Sequence, residues 1–209
     1  MNIFYLHNDP KTCAQMHNDK HCVKMILEYA QLLSTAHRII DGTLTSSLSK
    51  TGRKAKRYVL PDNREHVIYT ATHVNHPSAV WVRQSDKNYQ WLFNLFQELM
   101  IEYTHRYEKI HATARLESHL ENTPNNIRIG DLTQPTPAMP DEYKVEGDSI
   151  ASYRNYYLGS KVKMSRWTNR DMPDWFASGI NRLYEDACYI EHKPKINRII
   201  SMPLQYANL

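Results

Sequence analysis

Hydrophobic positions in this chain recur mostly at intervals of three and four, the period of a helix, and alternate only briefly. Between residues 86 and 110, Tyr89, Leu92, Phe93, Phe96, Leu99, Met100, Tyr103, Tyr107 and Ile110 form one broad apolar stripe. Gln90, Asn94, Gln97 and His105 lie opposite, so the pattern predicts a long amphipathic helix. Residues 2 to 6, NIFYL, alternate and are rich in strand formers, which predicts a short strand or extended segment. Asp9 as N-cap and Pro10 in the first helical position then predict a first helix over about residues 10 to 40, closed by Asp41 and Gly42.

Between and beyond these helices the punctuation changes. Residues 41 to 65 are polar, small and then basic, and read as a flexible loop. A short helix over residues 63 to 73 leads to NHPSAVW, where Pro77 breaks or starts a helix. Residues 122 to 146 hold four of the ten prolines and predict an irregular connection. Helical character returns over residues 148 to 167, breaks at Pro173 and resumes in a last helix over about 177 to 190, before an extended C-terminus. The expected class is mainly α: a single-domain helical bundle spanning residues 1 to 209, with long irregular connections and a short N-terminal extended segment.

Composition narrows the function classes. No apolar run approaches the ~18 to 20 residues of a membrane span, and the first residues lack the pattern of a signal peptide, so a cytoplasmic protein without membrane contact is expected. Cys13, Cys22 and Cys188 are an odd number without a CxxC spacing, which predicts reduced thiols and no zinc ribbon. A net charge of +4 permits an anionic partner without requiring one. The 14 Tyr and 4 Trp, against 4 Phe, suit a wet core and equally a surface on which bases stack.

The candidate chemistry lies on the first helix. At 100° per residue His17, His21, Lys24, Glu28, Gln31 and Thr35 fall within about 80° of one another, while Cys22, Met25, Ile26, Leu27, Tyr29, Ala30, Leu32, Leu33 and Ala36 occupy most of the remaining circle. A helix so apolar is buried, so the polar stripe is expected to line a cleft in which Glu28 acts as a general base or charge stabiliser. The alternative is a satisfied polar seam, with Lys24 bridging Glu28 and the histidines bonded to neighbouring helices. His17 and His21 have metal-ligand spacing without an HExxH pattern, and Glu102 to His105 is one copy of an ExxH spacing of which di-iron bundles use two. No metal or other cofactor is assigned.

Two further stretches suit nucleic acid. Arg53, Lys54, Lys56 and Arg57 form a basic cluster fit to grip phosphates. The segment over residues 152 to 167 interleaves Tyr153, Tyr156, Tyr157 and Trp167 with Arg154, Lys161, Lys163 and Arg166, as stacking plus phosphate contact would need; Arg83 follows the NHP element. The alternative for that segment is tyrosines in the core and cations in water. His73 and His76 read as structural.

MNIFYLH, the glutamate in KMILEYAQLL, the NHP element, NYQWLFNLFQELMIEYTHRYEK and YRNYYLGSK together resemble the helical pyrimidine-dimer DNA glycosylases of the endonuclease V type, over about half the chain. The chain also resembles conserved proteins of large tailed phages. The glycosylase resemblance implies an essential helix-borne glutamate, an N-terminal amine that attacks sugar C1′, and basic residues that clamp kinked DNA. It would make Glu28 the catalytic carboxylate, His21 its companion, and Tyr156, Tyr157 and Lys161 part of the DNA grip. Beside this expectation stand a non-catalytic phage effector that binds host protein or nucleic acid, a metal-dependent enzyme using His17 and His21, and an enzyme of hypermodified DNA.

Overall fold

Asn18 divides the expected first helix in two. Its side chain accepts from the His21 backbone N–H at 2.9 Å, the N-cap bond of a 23-residue helix, α2 (Asp19–Asp41). The residues before it form a separate helix, α1 (Pro10–Met16), with Asp9 as N-cap and Pro10 leading as expected. His17 and Asn18 are extended, with ψ of 132° and 164°. The break interrupts the periodic pattern by only two polar residues. Its one local sign is an Asn followed by an acidic first-turn residue, Asp19. The computed structural model describes residues 1–48, 52 and 54–189.

The hairpin strands β1 (Thr43–Leu48) and β2 (Lys54–Val59) pair antiparallel, from Thr43 with Val59 to Leu48 with Lys54. These strands replace the flexible loop expected over residues 41 to 65. Of its described side chains Thr43 to Ser46, Lys56 and Arg57 are exposed and Tyr58 and Val59 half-buried, so there is little hydrophobic alternation to read. At its base Gly42 lies so close to α2 that a Cβ there would come within 2.3 Å of the Arg38 carbonyl oxygen. Arg38, fully buried, donates to the carbonyls of Tyr58, Glu65, Ile68 and Tyr69 and to the Glu65 carboxylate. Glu65 in turn accepts from Arg57 and from the Leu60 amide. The short helix expected over residues 63 to 73 shrinks to α3 (Arg64–Val67), because the chain beyond it is held extended on α2. There the amides of Tyr69 and Thr72 donate to Ser34 and Thr35.

Downstream, α4 (Pro77–Val82) starts at the expected proline, with His76 as its N-cap. The helix α5 (Asp86–Tyr107) buries the predicted stripe from Tyr89 to Met100 against α1 and α2. A left-handed residue, Glu108 at φ 54°, closes it before Ile110, which is 82% exposed and belongs to no stripe. After a 3-10 turn at Ala112–Leu116 come α6 (Glu117–Leu120) and a long irregular connection. Then α7 (Ser149–Tyr156) runs into a π-helical turn at Tyr157–Lys161, and α8 (Asp174–Tyr189) follows. The fold is mainly α, around one hydrophobic cluster that reaches from Ile3 to Phe176. Among the described residues no helix is long and apolar enough to cross a membrane.

Buried charge ties the N-terminus of α2 to the C-terminus of α5. Glu102 accepts from Arg106 at 2.7 Å and from Arg170 at 2.7 Å. Arg106 also reaches the Asp19 carboxylate at 3.0 Å and the Gln15 carbonyl at 3.0 Å. Burial pushes the Glu102 carboxyl up, but the two guanidiniums outweigh it and hold the pKa below the ordinary value. Glu102 is therefore an arginine partner, while exposed His105 bonds the Asn169 carbonyl, so their ExxH spacing forms no metal site. Replacing Glu102 with Ala strands two guanidiniums and should cost about 3 to 5 kcal/mol, read as a lower urea midpoint. Asp141→Ala, which breaks only the exposed pair with Lys144, should cost less than about 1 kcal/mol.

Candidate functional site

The carboxylate of Glu28 sits between two amines. One oxygen is 3.1 Å from Lys24 Nζ, the i,i+4 partner on α2, and the other is 3.8 Å from the α-amine of Met1. The Glu28 side chain is 13% exposed and that of Met1 4%, whereas the Lys24 side chain is 69% exposed. A largely buried carboxylate thus meets solvent through its lysine partner. Half-buried Gln31 follows on the same face, and buried Thr35 closes it by bonding the backbone of Thr72. Val23 and Leu27, 41% and 39% exposed, flank Lys24 on the open side. The expected polar face of α2 is present over Lys24, Glu28 and Gln31, but the histidines leave it.

What brings Met1 to α2 is the burial of the extended segment. Ile3, Phe4, Tyr5 and Leu6 are buried without pairing into a sheet. Their polar backbone finds partners elsewhere: Arg154 donates twice to the Leu6 carbonyl, and the Cys13 thiol donates to the Phe4 carbonyl. Asn2 is held on both sides of its amide, donating to the Ala138 carbonyl at 2.8 Å and accepting from Tyr153 Oη at 2.6 Å. The Phe4 ring stacks on His21 with centroids 3.9 Å apart.

His17 and His21 belong to that core and not to a cleft. His17, outside α2, donates from Nδ1 to the Cys13 carbonyl at 2.7 Å, which leaves Nε2 to accept from Tyr29 Oη at 2.8 Å. Both nitrogens are used, so the i,i+4 metal pair read from the sequence does not form. His21 Nδ1 bonds Tyr157 Oη at 2.6 Å. Burial pushes the His17 pKa down to about 4 and that of His21 down to about 2, so both rings are neutral at pH 7. Burial likewise raises the Cys13 and Cys22 thiols to about 12 and makes them poor nucleophiles. Among the described residues no group of three or more His, Cys, Asp or Glu could hold a metal ion.

The candidates for nucleic-acid contact separate. Tyr157 and Trp167 are buried, Trp167 donating to the Met16 carbonyl at 3.1 Å, so neither ring can stack on a base. Arg154 is spent on Leu6 and on the face of Trp175, 5.1 Å away. Arg83 is half-buried and braces the NHP element through the carbonyls of Val74 and Ala79. Tyr156 stays half-buried with Lys161 Nζ 4.4 Å above its ring, and Lys163 and Arg166 are exposed. Lys56 and Arg57 project from β2 at the far end of α2. Arg53 and the Lys54 side chain lie outside the described residues.

His76, read from sequence as structural, lies within electrostatic range of the Met1 amine and Glu28. Its Nδ1 accepts from the Ser78 amide at 3.2 Å, which places the ring proton on Nε2. Burial lowers its pKa first, and the Met1 amine and His73 lower it further against an opposing pull from Glu28. Its neighbour His73 adopts a left-handed backbone, φ 48°, a strained conformation for a residue with a Cβ. The only hint in the sequence was the NHP element itself, whose proline makes His76 an N-cap; its distance from Glu28 is set by tertiary packing.

In comparisons with known proteins, the chain matches no family model, no curated protein and no solved structure.

The depressed histidines set the acid stability. Their folded pKa values lie below the ordinary value, so between about pH 6.5 and 4 the unfolded chain binds more protons. Stability is full above that window and is lost as pH falls, by about 2 kcal/mol per such histidine at pH 5. A thermal midpoint that drops between pH 7 and pH 5 is expected, with a shallower pH slope in His17→Gln. An unchanged slope in that variant would show that His17 does not contribute.

Proposed function

We propose that this protein is a DNA N-glycosylase, and the observation that carries the proposal is the Met1 amine 3.8 Å from the Glu28 carboxylate. Breaking an N-glycosidic bond develops positive charge on the sugar ring, and a carboxylate held in a recess stabilises that charge most as the bond breaks. The neighbouring amine supplies the nucleophile. Its nitrogen bonds to C1′ as the bond from C1′ to the base breaks, the electron pair leaves with the base, and Glu28 accepts the proton the nitrogen sheds. The C1′–O4′ bond of the aminal then breaks, its electron pair leaving on O4′, which takes a proton and stays on C4′ as a hydroxyl, while the nitrogen lone pair forms the imine; removal of a C2′ proton then expels the 3′ phosphate and cuts the strand.

Several features support this reading. The burial of residues 3 to 6 and the two bonds on Asn2 hold the amine against α2, as a near-attack arrangement requires. Lys24, largely exposed beside Glu28, is available to a phosphate. Neutral His76, within electrostatic range of Glu28, carries an Nε2 proton suited to a departing base. The resemblance of KMILEYAQLL and YRNYYLGSK to the pyrimidine-dimer glycosylases points to a damaged or modified pyrimidine as the base removed. Of the residues that resemblance assigned, His21 and Tyr157 act here through the core, positioning Phe4 and with it the N-terminal segment.

Ultraviolet-irradiated duplex should be cut by the wild-type protein and untreated duplex left intact. Borohydride should trap a covalent protein–DNA adduct whose linkage maps to the N-terminal residue. Glu28→Gln should fold normally and lose a factor of about 100 or more in cleavage. Well-folded wild type that neither cuts nor releases bases, with alkali used to reveal abasic sites, overturns the reading.

A further inference from the structure

We infer that the open face of α2 docks on double-helical DNA, where Leu27, with Val23 one turn before it, fills the space that the target nucleotide leaves in the base stack; the inference rests on the reading of Glu28 as the group that acts on that nucleotide. The exposed residues of α2 are Lys20, Val23, Lys24 and Leu27. At 100° per residue they and Glu28 lie within about 140° of one another. Two cations, two aliphatic side chains and the candidate carboxylate therefore share one face of one helix. Single exposed aliphatics are ordinary on a protein surface. These two are i,i+4 neighbours, and Leu27 also adjoins Glu28 in the chain and follows Lys24 by about one turn.

Charge identifies what this face meets. The chain that leaves α7 is tied to the start of α2: the Asp19 amide donates to the Arg166 carbonyl at 2.8 Å, and the Asn18 side chain donates to Ser165 Oγ at 3.2 Å. That tie brings the exposed residues Lys163 and Arg166 to the same end of α2 as Lys20. Lys20, Lys163 and Arg166 have no ion pair among the described residues. Asp19 and Glu28, the carboxylates in this half of α2, are already matched, Asp19 by Arg106 and Thr168 and Glu28 by its two amines. An anionic partner thus meets free cations and no free acid on the helix. A second copy of this chain suits the face badly, because a two-fold contact would set Lys20 and Lys24 against their own copies.

The apolar pair has a use on duplex DNA that it lacks on any other polyanion. An enzyme reaches its target atom in a duplex only when the nucleotide leaves the stack, and the stack then closes over the gap unless something fills it. Leucine is among the side chains that proteins insert between base steps, since it needs no hydrogen bond there. With the nucleotide at Glu28, the next side chain on the open face is Leu27, already exposed and carried on a helix packed against α5. Lys20 and Lys24, about 6 Å apart along the axis, hold the phosphates beside it. A damaged step costs least to unstack, so the wedge favours lesions over intact sequence.

The test uses a duplex with one thymine dimer and 2-aminopurine on its 3′ side, whose fluorescence rises when it loses its stacking partner. Affinity is read by anisotropy across a salt series, in a Glu28→Gln background that leaves the duplex uncut. Saturating protein should raise the fluorescence about threefold; Leu27→Ala should remove at least about half of that rise while changing affinity by less than about threefold. With Glu28 intact, Leu27→Ala should slow cleavage at saturation about tenfold, and Leu27→Met should restore most of both signals. Lys20→Gln should instead weaken binding about fivefold and make the log–log salt slope shallower by about 1, with the fluorescence per bound duplex unchanged. Thermal midpoints should stay near that of the wild type, since each changed side chain is exposed. A full fluorescence rise and full cleavage in Leu27→Ala overturn the inference and leave the glycosylase reading intact. Leu27-dependent unstacking by a wild type that neither cuts nor releases bases keeps the docking face and removes the glycosylase. A wild type that binds no duplex removes both, and a dimer that Leu27→Glu dissociates overturns the inference by assigning the face to a second copy.

Discussion

Burying an extended backbone without a sheet is the constraint from which much of this structure follows. Each amide and carbonyl of residues 2 to 6 removed from water needs a partner, and an orphaned one costs about 1 to 3 kcal/mol. The chain meets the demand with side chains drawn from distant elements: Cys13 from α1 on the Phe4 carbonyl and the Leu6 amide, and Arg154 from α7 on the Leu6 carbonyl, while Tyr153 from α7 holds the Asn2 side chain. Those donors bring α7 over the N-terminal segment and lock the segment onto α2. The position of Met1 beside Glu28 is a consequence of that closure.

The same accounting explains why so many polar residues of α2 face inward. His21, Ser34, Thr35, His37 and Arg38 are buried, and each is matched. His21 meets Tyr157, and His37 bridges Arg64 and Tyr89. Arg38 gathers the carbonyls at the base of the hairpin. In contrast, Glu28 meets two amines, one of them on the largely exposed Lys24 side chain. A carboxylate with cations on either side and one open wall can exchange a partner for a ligand; the core pairs cannot without leaving a buried group unsatisfied. That difference separates the candidate site from the scaffold around it.

The two long helices give the site its reach. Packed on α5 and pinned at its N-terminus by the arginine network around Glu102, α2 carries Glu28 near its middle and the hairpin at its end. Gly42 allows the ribbon to leave directly from the last turn.

Much of this was legible in the residues. The stripe from Tyr89 to Met100, the caps at Asp9 and Pro77, and the irregular proline-rich stretch follow from local period and turn chemistry, which depend on nearby residues alone. Glu28 and Lys24 on one face of a buried helix follow from the same period. Three things did not follow. The break at His17 and Asn18 hides in two polar residues, the described strand side chains are mostly exposed and leave little alternation, and the tyrosines of residues 153 to 157 carry the same composition whether they stack on bases or on the core. By itself the sequence determined the helical class, the long helices and the polar face around Glu28, because propensity and periodicity are short-range. Only the tertiary structure decided which histidines were core and which came within electrostatic range of Glu28, and where the N-terminal amine came to rest. Both depend on partners for buried polar groups that lie more than a hundred residues away along the chain, such as Tyr157 for His21 and Tyr153 for Asn2.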